Sequence, residues 1–293
     1  MGAADVVPGV SGGTIAFITG IYTRFLAAIK SVNLEALRLL RKSGCKASWQ
    51  YIDGTFLLTV FAGLITSAVS LAKVITYLLA NHQLLVWSFF FGLIVISVIH
   101  MLKQVKGFTF GRLALFVVGV VFAWGITMLN PIALEMTYLN VFLGGCIAIT
   151  AMILPGISGS FILLLLGLYT PVIGAVKNFE IGIIVTFAAG AAIGILCFSH
   201  VLSALLRKFH DATLVFLTGL MLGTLGKIWP WKEVLTFREN SKGEMVPLDE
   251  RVLSPMQYEQ ITGQPSLLLY AVIAMCGGIL LVWGLERFAN KTR

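Results

Sequence analysis

The sequence predicts an all-α polytopic membrane protein, built as an inverted-topology repeat with two re-entrant hairpins and about six spanning helices. Three observations carry this prediction. Of the 293 residues, 58% are hydrophobic and only 12% are charged, whereas a soluble domain carries roughly 25% charged residues. Six apolar runs have lengths typical of membrane spans. A glycine-rich motif occurs twice in the chain.

The apolar runs come first. A helix that crosses a hydrocarbon core of about 30 Å needs roughly 20 mainly apolar residues. The predicted spans are 54–80, 84–102, 111–130, 181–206, 212–228 and 266–286. The amino terminus has no basic leader and no small-residue cleavage site, so we expect no cleaved signal peptide.

An internal repeat organises the chain. A shift of 147 residues places Pro8–Thr23 on Pro155–Thr170, with 8 of 16 positions identical. A later shift of 127 residues places Gly63 on Gly190, Lys73 on His200, Phe89 on Phe216 and Gly92 on Gly219. The offset changes because the polar loop 30–53 is longer than its counterpart 171–180.

Each half therefore contains one motif followed by three spans, and the last pair of spans matches only in hydropathy. This pattern predicts two repeats, 1–130 and 138–293. The second repeat carries a polar, turn-rich insertion at 229–265, which we expect to form a small periplasmic cap.

Basic residues indicate the orientation. Lysine and arginine in short loops stay in the cytoplasm, and they cluster in segments 30–53, 103–112, 207–211 and 287–293. These segments and the carboxyl terminus are therefore predicted to be cytoplasmic. The first and fourth spans then run in opposite directions, so the halves are inverted. Inverted repeats are typical of secondary transporters, with the binding site near the midplane, although a duplicated scaffold without transport activity is the alternative.

The motif interrupts each apolar run with Pro-Gly-x-Ser-Gly. Non-helical backbone at membrane depth must be buried in protein or line a wet cavity. We expect re-entrant hairpins whose turns meet at the centre, followed by helices that begin at about Thr14 and Phe161. The free amide groups and positive dipole ends of such helices favour an anion, most simply phosphate. The alternative is that these small residues only pack helices.

The predicted phosphate-binding residues are the polar and small members of both motif copies. They are Pro8, Gly9, Ser11, Gly12, Gly13, Thr14, Pro155, Gly156, Ser158, Gly159 and Ser160. Substitutions at Ser11, Gly12, Ser158 and Gly159 are expected to reduce binding more than stability.

Ionisable residues in or near the spans are functional hypotheses by default. Asp5 could carry a proton or sodium ion, pair with Arg24, or cap a local turn. Arg24 could reach the phosphate or extend to the cytoplasmic interface. Lys73 and His200 occupy matched positions that suit either gates or interface anchors, and Arg112 suits either the positive-inside pattern or a phosphate contact. The predicted coupling or gating residues are thus Asp5, Arg24, Lys73, His200 and Arg112.

The stretches "GAADVVPGVSGGTIAFITGIY" and "LPGISGSFILLLLGLY" resemble the bacterial polyprenyl-phosphate transporter (PopT) family, and the resemblance covers essentially the whole chain. It implies a multi-pass undecaprenyl-phosphate translocase of the bacterial cytoplasmic (inner) membrane. Such a protein would return the lipid carrier from the outer to the inner leaflet for peptidoglycan synthesis. One departure is that a helix at about 138–151 leads into the second turn, whereas only seven residues precede Pro8. We therefore expect the first hairpin to lack its leading helix in this sequence.

An enzyme is the main alternative. Undecaprenyl-pyrophosphate phosphatases resemble inverted repeats with re-entrant hairpins and carry Pro-Gly-x-Ser-Arg-Ser, but here the arginine position holds Gly12 and Gly159. Asp5 is the one carboxylate placed at membrane depth, whereas phosphoryl chemistry needs a cationic clamp and a base. Transport without catalysis is therefore favoured, a channel or assembly factor being the other possibility, with no cofactor and no metal. The expected partners are a polyprenyl-phosphate lipid, membrane lipids and a coupling proton or sodium ion, and not nucleic acid.

Overall fold

The computed structural model describes residues 1–5, 11–107, 109–132, 134–239 and 245–291. Within these ranges the chain is mainly helical, as predicted. The helices are α1 (Gly2–Asp5), α2 (Gly12–Ile18), α3 (Tyr22–Lys30), α4 (Leu34–Tyr51), α5 (Gly54–Asn81), α6 (Gln83–Gln104), α7 (Phe110–Thr127), α8 (Tyr138–Ile153), α9 (Gly159–Leu165), α10 (Tyr169–Lys177), α11 (Ile181–Lys208), α12 (His210–Gly223), α13 (Pro255–Thr262) and α14 (Leu268–Lys291).

Six helices in the described ranges are long and apolar enough to cross a membrane, which confirms a multi-pass membrane protein. They are α5, α6, α7, α11, α14, and α12 together with the 3-10 turn Leu225–Ile228. Most of their bounds agree with the predicted spans to within a few residues. Large apolar side chains remain exposed on the outer faces of α5, α7, α11 and α14, as expected where lipid is the solvent.

The repeat is visible in the helix bounds. Moving α2 and α3 by 147 positions gives the bounds of α9 and α10, and moving α5 by 127 positions gives those of α11. The bend between α2 and α3 is 115°, and that between α9 and α10 is 109°. Gly20 and Gly167 lie at these bends with φ of +73° and +70°, a conformation that glycine adopts without steric cost.

The last helix of each half packs on the second helix of the other half, α7 on α12 and α14 on α6. Small residues allow backbone contact at both interfaces. A Cβ on Gly119 would lie 2.5 Å from the carbonyl oxygen of Phe216, and a Cβ on Gly278 would overlap that of Phe89. Because Phe89 and Phe216 are aligned in the repeat, Gly119 and Gly278 also correspond, at an offset of 159 residues. The sequence alone matched these third helices only in hydropathy.

Two polar segments differ from the simplest expectation. The predicted loop 30–53 instead contains α4, which Asn33 caps by accepting hydrogen bonds from the N–H groups of Glu35 and Ala36. Its helical geometry breaks at Gly44, where φ is +81°. The insertion forms an antiparallel hairpin of β1 (Lys232–Glu239) and β2 (Met245–Val252), followed by α13. Its polar composition and turns favoured a cap, but strand pairing was not apparent in its sequence.

The main core lies where α2 and α3 meet α8, α11 and α12. Leu26 of α3, Leu202 of α11 and Leu217 of α12 are almost fully buried there. Each such side chain contributes roughly 1.5–3 kcal/mol of burial free energy where water is the alternative environment. This core fixes the positions of the two motif copies.

Candidate functional site

The two motif copies contact each other directly. The Ser11 hydroxyl donates to the carbonyl oxygens of Met152 and Leu154, at 3.1 and 3.4 Å. The Thr14 hydroxyl accepts from the N–H of Gly156 at 3.1 Å. Ser11 and Thr14 are 1% and 0% exposed, so these bonds lie inside the protein. We call the contact formed by 11–14 and 152–156 the motif junction.

Tyr22 supports the junction from the start of α3. Its hydroxyl donates to the carbonyl oxygen of Ile153 at 3.0 Å, and its side chain is 3% exposed. Ile153 closes α8, so this carbonyl is one of those that a helix end leaves without an internal partner. Sequence reasoning did not select Tyr22, although the repeat aligns it with Tyr169.

The first motif copy has a filled helix start. The N–H of Gly12 donates to the Asp5 carboxylate at 2.6 Å, and that of Gly13 donates to the Ser11 hydroxyl at 3.1 Å. Asp5 therefore contacts its own motif, and in the described ranges it forms no ion pair with Arg24. Its carboxylate lies where the start of α2 would favour an external anion.

The second motif copy has an open helix start. Ser158 is the N-cap of α9, but its side chain forms no cap hydrogen bond. Its hydroxyl instead lies 2.8 Å from that of Ser160, whose side chain is exposed. Within the described part of the chain, the N–H groups of 159–161 have no hydrogen-bond acceptor. The two copies thus share sequence but differ in how their helix starts are satisfied.

The motif glycines also have a packing role. A Cβ on Gly13 would lie 2.6 Å from the carbonyl oxygen of Ile153, and one on Gly159 would lie 2.5 Å from that of Ala148. Gly156 has a φ of +90° and packs against the backbone of Met221. Larger residues at these positions would separate the helices. Pro155 is buried beside them, whereas Pro8 and Gly9 lie outside the described residues.

Arg24 pairs with Asp53. It donates two hydrogen bonds to the carboxylate, at 2.7 and 3.0 Å, and its guanidinium lies 4.3 Å from the ring centre of Phe56. These bonds lower the pKa of Asp53 below its usual range. The pair joins α3 to the residue before α5. Arg24 and Asp53 are far apart in the sequence, and their spacing did not predict that they would pair.

The remaining gating residues lie away from the motif junction. Lys73 is exposed on α5, and a ring nitrogen of exposed His200 lies 2.8 Å from the carbonyl oxygen of Leu196 in its own helix. Arg112 pairs with Asp211 at 2.9 Å and donates to the carbonyl oxygen of Gly107 at 2.6 Å. Arg112 therefore connects the loop before α7 to the start of α12.

Sequence reasoning missed a charged cluster beside the second motif. Lys232 and Lys227 approach the Glu250 carboxylate at 3.0 and 3.4 Å. The Lys227 ammonium also lies 5.6 Å from the ring centre of Phe161, the third residue of α9. Burial lowers the pKa of Lys232, and the nearby Glu250 carboxylate opposes that shift. Through Lys227, the cluster contacts the third residue of α9.

Comparisons with known proteins agree on one family. The model for the family described as undecaprenyl phosphate translocase-like matches residues 1–246. A curated Vibrio cholerae protein named polyprenyl-phosphate transporter is 56% identical, covering 99% of this chain and 94% of that relative. A Staphylococcus aureus protein of the same name is 31% identical, covering 78% of this chain and 83% of that relative. No solved structure gives a significant match.

Proposed function

We propose that this chain, which belongs to the undecaprenyl phosphate translocase-like family, moves a polyprenyl phosphate lipid carrier across the bacterial cytoplasmic membrane. The proposed direction is from the outer to the inner leaflet, which returns the carrier for envelope synthesis. The predicted orientation, with the carboxyl terminus in the cytoplasm, is part of this proposal.

The observation that carries the proposal is the open start of α9, which follows the motif junction in the chain. Ser158 and Ser160 supply hydroxyl groups there, and backbone N–H groups of 159–161 have no acceptor in the described ranges. The Lys227 ammonium lies against Phe161 in the same helix. Hydroxyl, amide and ammonium donors together suit a phosphate group.

The substrate fits a membrane-embedded site of this kind. An isoprenoid tail is stable in lipid, whereas an unpaired phosphate in hydrocarbon loses the hydration that stabilises its charge. The open start of α9 offers polar groups close in the chain to the point where the two motif copies meet. The tail can remain in the bilayer while the phosphate moves between these groups.

The packing of the two halves supports an alternating-access mechanism. α3 packs on α11, but in the described ranges no comparable packing joins the repeat counterparts, α10 and α5. If the halves are inverted, one face is closed by α3 and α11 while the equivalent contact at the other face is released. Rocking of one repeat against the other would exchange the two arrangements.

Asp5 is the proposed coupling residue, with a proton as the simplest cation. Its carboxylate is held by the Gly12 N–H, at the helix start that corresponds to the proposed phosphate site in the other repeat. An anion that moves toward a negative interior opposes the membrane potential, at about 2.3 kcal/mol per net charge per 100 mV. A cation carried with the phosphate would offset this cost.

Reconstitution tests the proposed function. Purified protein in vesicles should accelerate the movement of polyprenyl phosphate between leaflets, measured by the accessibility of its phosphate to an external phosphatase. A matched polyprenol without phosphate should not be recognised. Release of inorganic phosphate from polyprenyl pyrophosphate by the purified protein would instead favour the phosphatase hypothesis.

A further inference from the structure

A cavity of about 410 Å³ lies between α3 and α11, and the described residues that line it are not those of the motif junction. One stripe of α3 forms its first wall, through Thr23, Leu26, Ala27 and Lys30. Their spacing of three and four residues puts them on one helix face. The opposite wall and the end are formed by Ser203, Leu206, Arg207, Ser31, Asn33 and Tyr51. We call this space the α3–α11 cavity.

Two cationic residues line the cavity, and the described residues that line it include no carboxylate. In the part of the chain that the structure describes, neither Lys30 nor Arg207 forms an ion pair or hydrogen bond with another side chain. Both lie in the last turn of their helices. A nearby anion would therefore gain two charge-assisted interactions without breaking an existing pair.

A buried hydroxyl in the same cavity also lacks a partner. The Ser203 Oγ is enclosed, and among the described residues it has no hydrogen-bond partner. Buried polar groups are usually hydrogen-bonded, so an orphaned hydroxyl requires an explanation. Rotation of the Ser203 side chain toward the cavity would allow a ligand oxygen there to supply the missing partner.

The walls are amphipathic. Leu26 and Leu206 line the cavity but are only 1% and 7% exposed, so the exposed Ala27 provides apolar surface between the polar groups. An anionic headgroup attached to an apolar chain matches this combination better than a fully hydrated ion. A phosphomonoester is the best match in charge, because it carries about −1.5 to −2 charges and three acceptor oxygens at pH 7.

We propose that the α3–α11 cavity binds the phosphate headgroup of the transported lipid, as a second site distinct from the motif junction. This assignment rests on the proposed function. α3 connects the two sites, since Tyr22 at its start contacts Ile153 of the junction and Lys30 at its end lines the cavity. Eight residues of helix separate them by about 12 Å. In the predicted orientation, the cavity is the cytoplasmic release site.

A fluorophore on Ala27→Cys in a cysteine-free background would report occupancy, because Ala27 lines the cavity. The protein is held in nanodiscs of zwitterionic lipid, and the probe is a short-chain polyprenyl phosphate. The Lys30→Gln/Arg207→Gln variant should bind the probe about 100- to 10,000-fold more weakly, since each of the two charged hydrogen bonds contributes about 1.5–3 kcal/mol, or roughly 10- to 100-fold. The control Arg41→Gln/Lys42→Gln, which removes the same charge from α4, should keep the wild-type affinity.

Two further variants separate local from structural effects. Lys30→Arg/Arg207→Lys preserves both charges and should bind within a few-fold of wild type. Ser203→Ala should weaken binding less than removal of both cations. If the double glutamine variant does not fold, the single variant Arg207→Gln is tested instead. Arg207 is exposed, so its substitution should not prevent folding.

Alternative ligands identify the source of the phosphate. Added separately, polyprenyl phosphate should produce the fluorescence response, while phosphatidylglycerol, inorganic phosphate and polyprenol should produce it poorly. An equal response to phosphatidylglycerol or to inorganic phosphate would overturn the assignment, as would an unchanged affinity in the double glutamine variant. If the protein shows this fluorescence response but does not transport polyprenyl phosphate in vesicles, the proposed function alone is contradicted.

Discussion

The hydroxyl of Thr14 accepts a hydrogen bond from the backbone N–H of Gly156, 142 residues further along the chain. Both groups are buried, so no water replaces the bond if it breaks. It connects the same motif in the two repeats, one contributing a side chain and the other its backbone. The junction is therefore asymmetric, because Thr14 aligns with Phe161 in the second copy.

Removing this bond should destabilise the protein. Thr14→Val keeps the shape of the side chain but leaves the Gly156 N–H without an acceptor, which costs about 1–3 kcal/mol. We expect a lower midpoint for unfolding in detergent. Thr59→Val is the matched control, since the exposed Thr59 hydroxyl bonds only within its own helix. An equal effect of the two variants would contradict the role of the junction.

The serines of the two copies should behave differently. Ser11→Ala removes bonds to Met152 and Leu154 and should reduce stability as well as transport. Ser158→Ala with Ser160→Ala removes hydroxyl groups that, among the described residues, bond only to each other, so it should reduce polyprenyl phosphate binding with little change in unfolding. Full binding by this second variant would remove the open start of α9 from the proposed site.

The glycines of the motif do not offer the same test. The sequence predicted that Gly12 and Gly159 variants would affect binding more than stability. The structure places Gly12 against the Asp5 carboxylate and Gly159 against the Ala148 carbonyl. Larger side chains there should disturb packing first, so the serines are the sharper probes of binding.

Much of the fold was predictable from sequence, because lipid imposes span length and the repeat imposes equivalent elements. The tertiary contacts of individual residues were not predictable in this way. Arg24 could be placed near an interface, but Asp53 lies 29 residues away beyond α4. Lys232 and Glu250 lie on β1 and β2, and the pairing of these strands brings them together. No local periodicity encodes such contacts. The polar composition of 30–53 led to the prediction of a loop, so helix α4 was not predicted.

Paired cysteines should report the proposed rocking motion. Ala27→Cys and Ser203→Cys face one cavity and should cross-link in the resting protein with a short bifunctional reagent. The repeat counterparts, Gly174→Cys and Thr76→Cys, lie on α10 and α5, which lack comparable packing in the described ranges. We expect this second pair to cross-link only when substrate is present. Substrate-independent cross-linking of both pairs to the same extent would contradict alternating access.

The Arg24–Asp53 pair should be tolerant of mild acid. Because Arg24 lowers the pKa of Asp53, the stabilisation is present above the ordinary carboxyl value of 3.8 and is lost as pH falls through the lower folded value. The difference in unfolding midpoint between wild type and Asp53→Asn should therefore be constant from neutral pH to about pH 5. It should shrink only in stronger acid.

Charge exchange provides the control for that pair. Arg24→Asp should impair transport, and the exchanged variant Arg24→Asp/Asp53→Arg should recover part of it. Reversal of Arg38, which pairs with Glu35 on the exposed face of α4, should have little effect. No recovery by the exchanged variant would show that Arg24 acts through contacts other than Asp53.

The last prediction concerns Asp5 and the coupling cation. The Gly12 N–H donates to the Asp5 carboxylate at 2.6 Å, so ionised Asp5 fills the start of α2. Protonation would weaken this charge-assisted bond and free the helix start, which would link proton binding to a change at the motif junction. Wild-type transport in vesicles should accelerate when an imposed pH gradient favours inward proton movement, and Asp5→Asn should lose that acceleration while still binding polyprenyl phosphate. A sodium gradient at constant pH serves as the control for the other cation. Transport that ignores both gradients, or an unaltered pH response in Asp5→Asn, would eliminate the coupling role of Asp5 and leave its carboxylate as a fixed cap of α2.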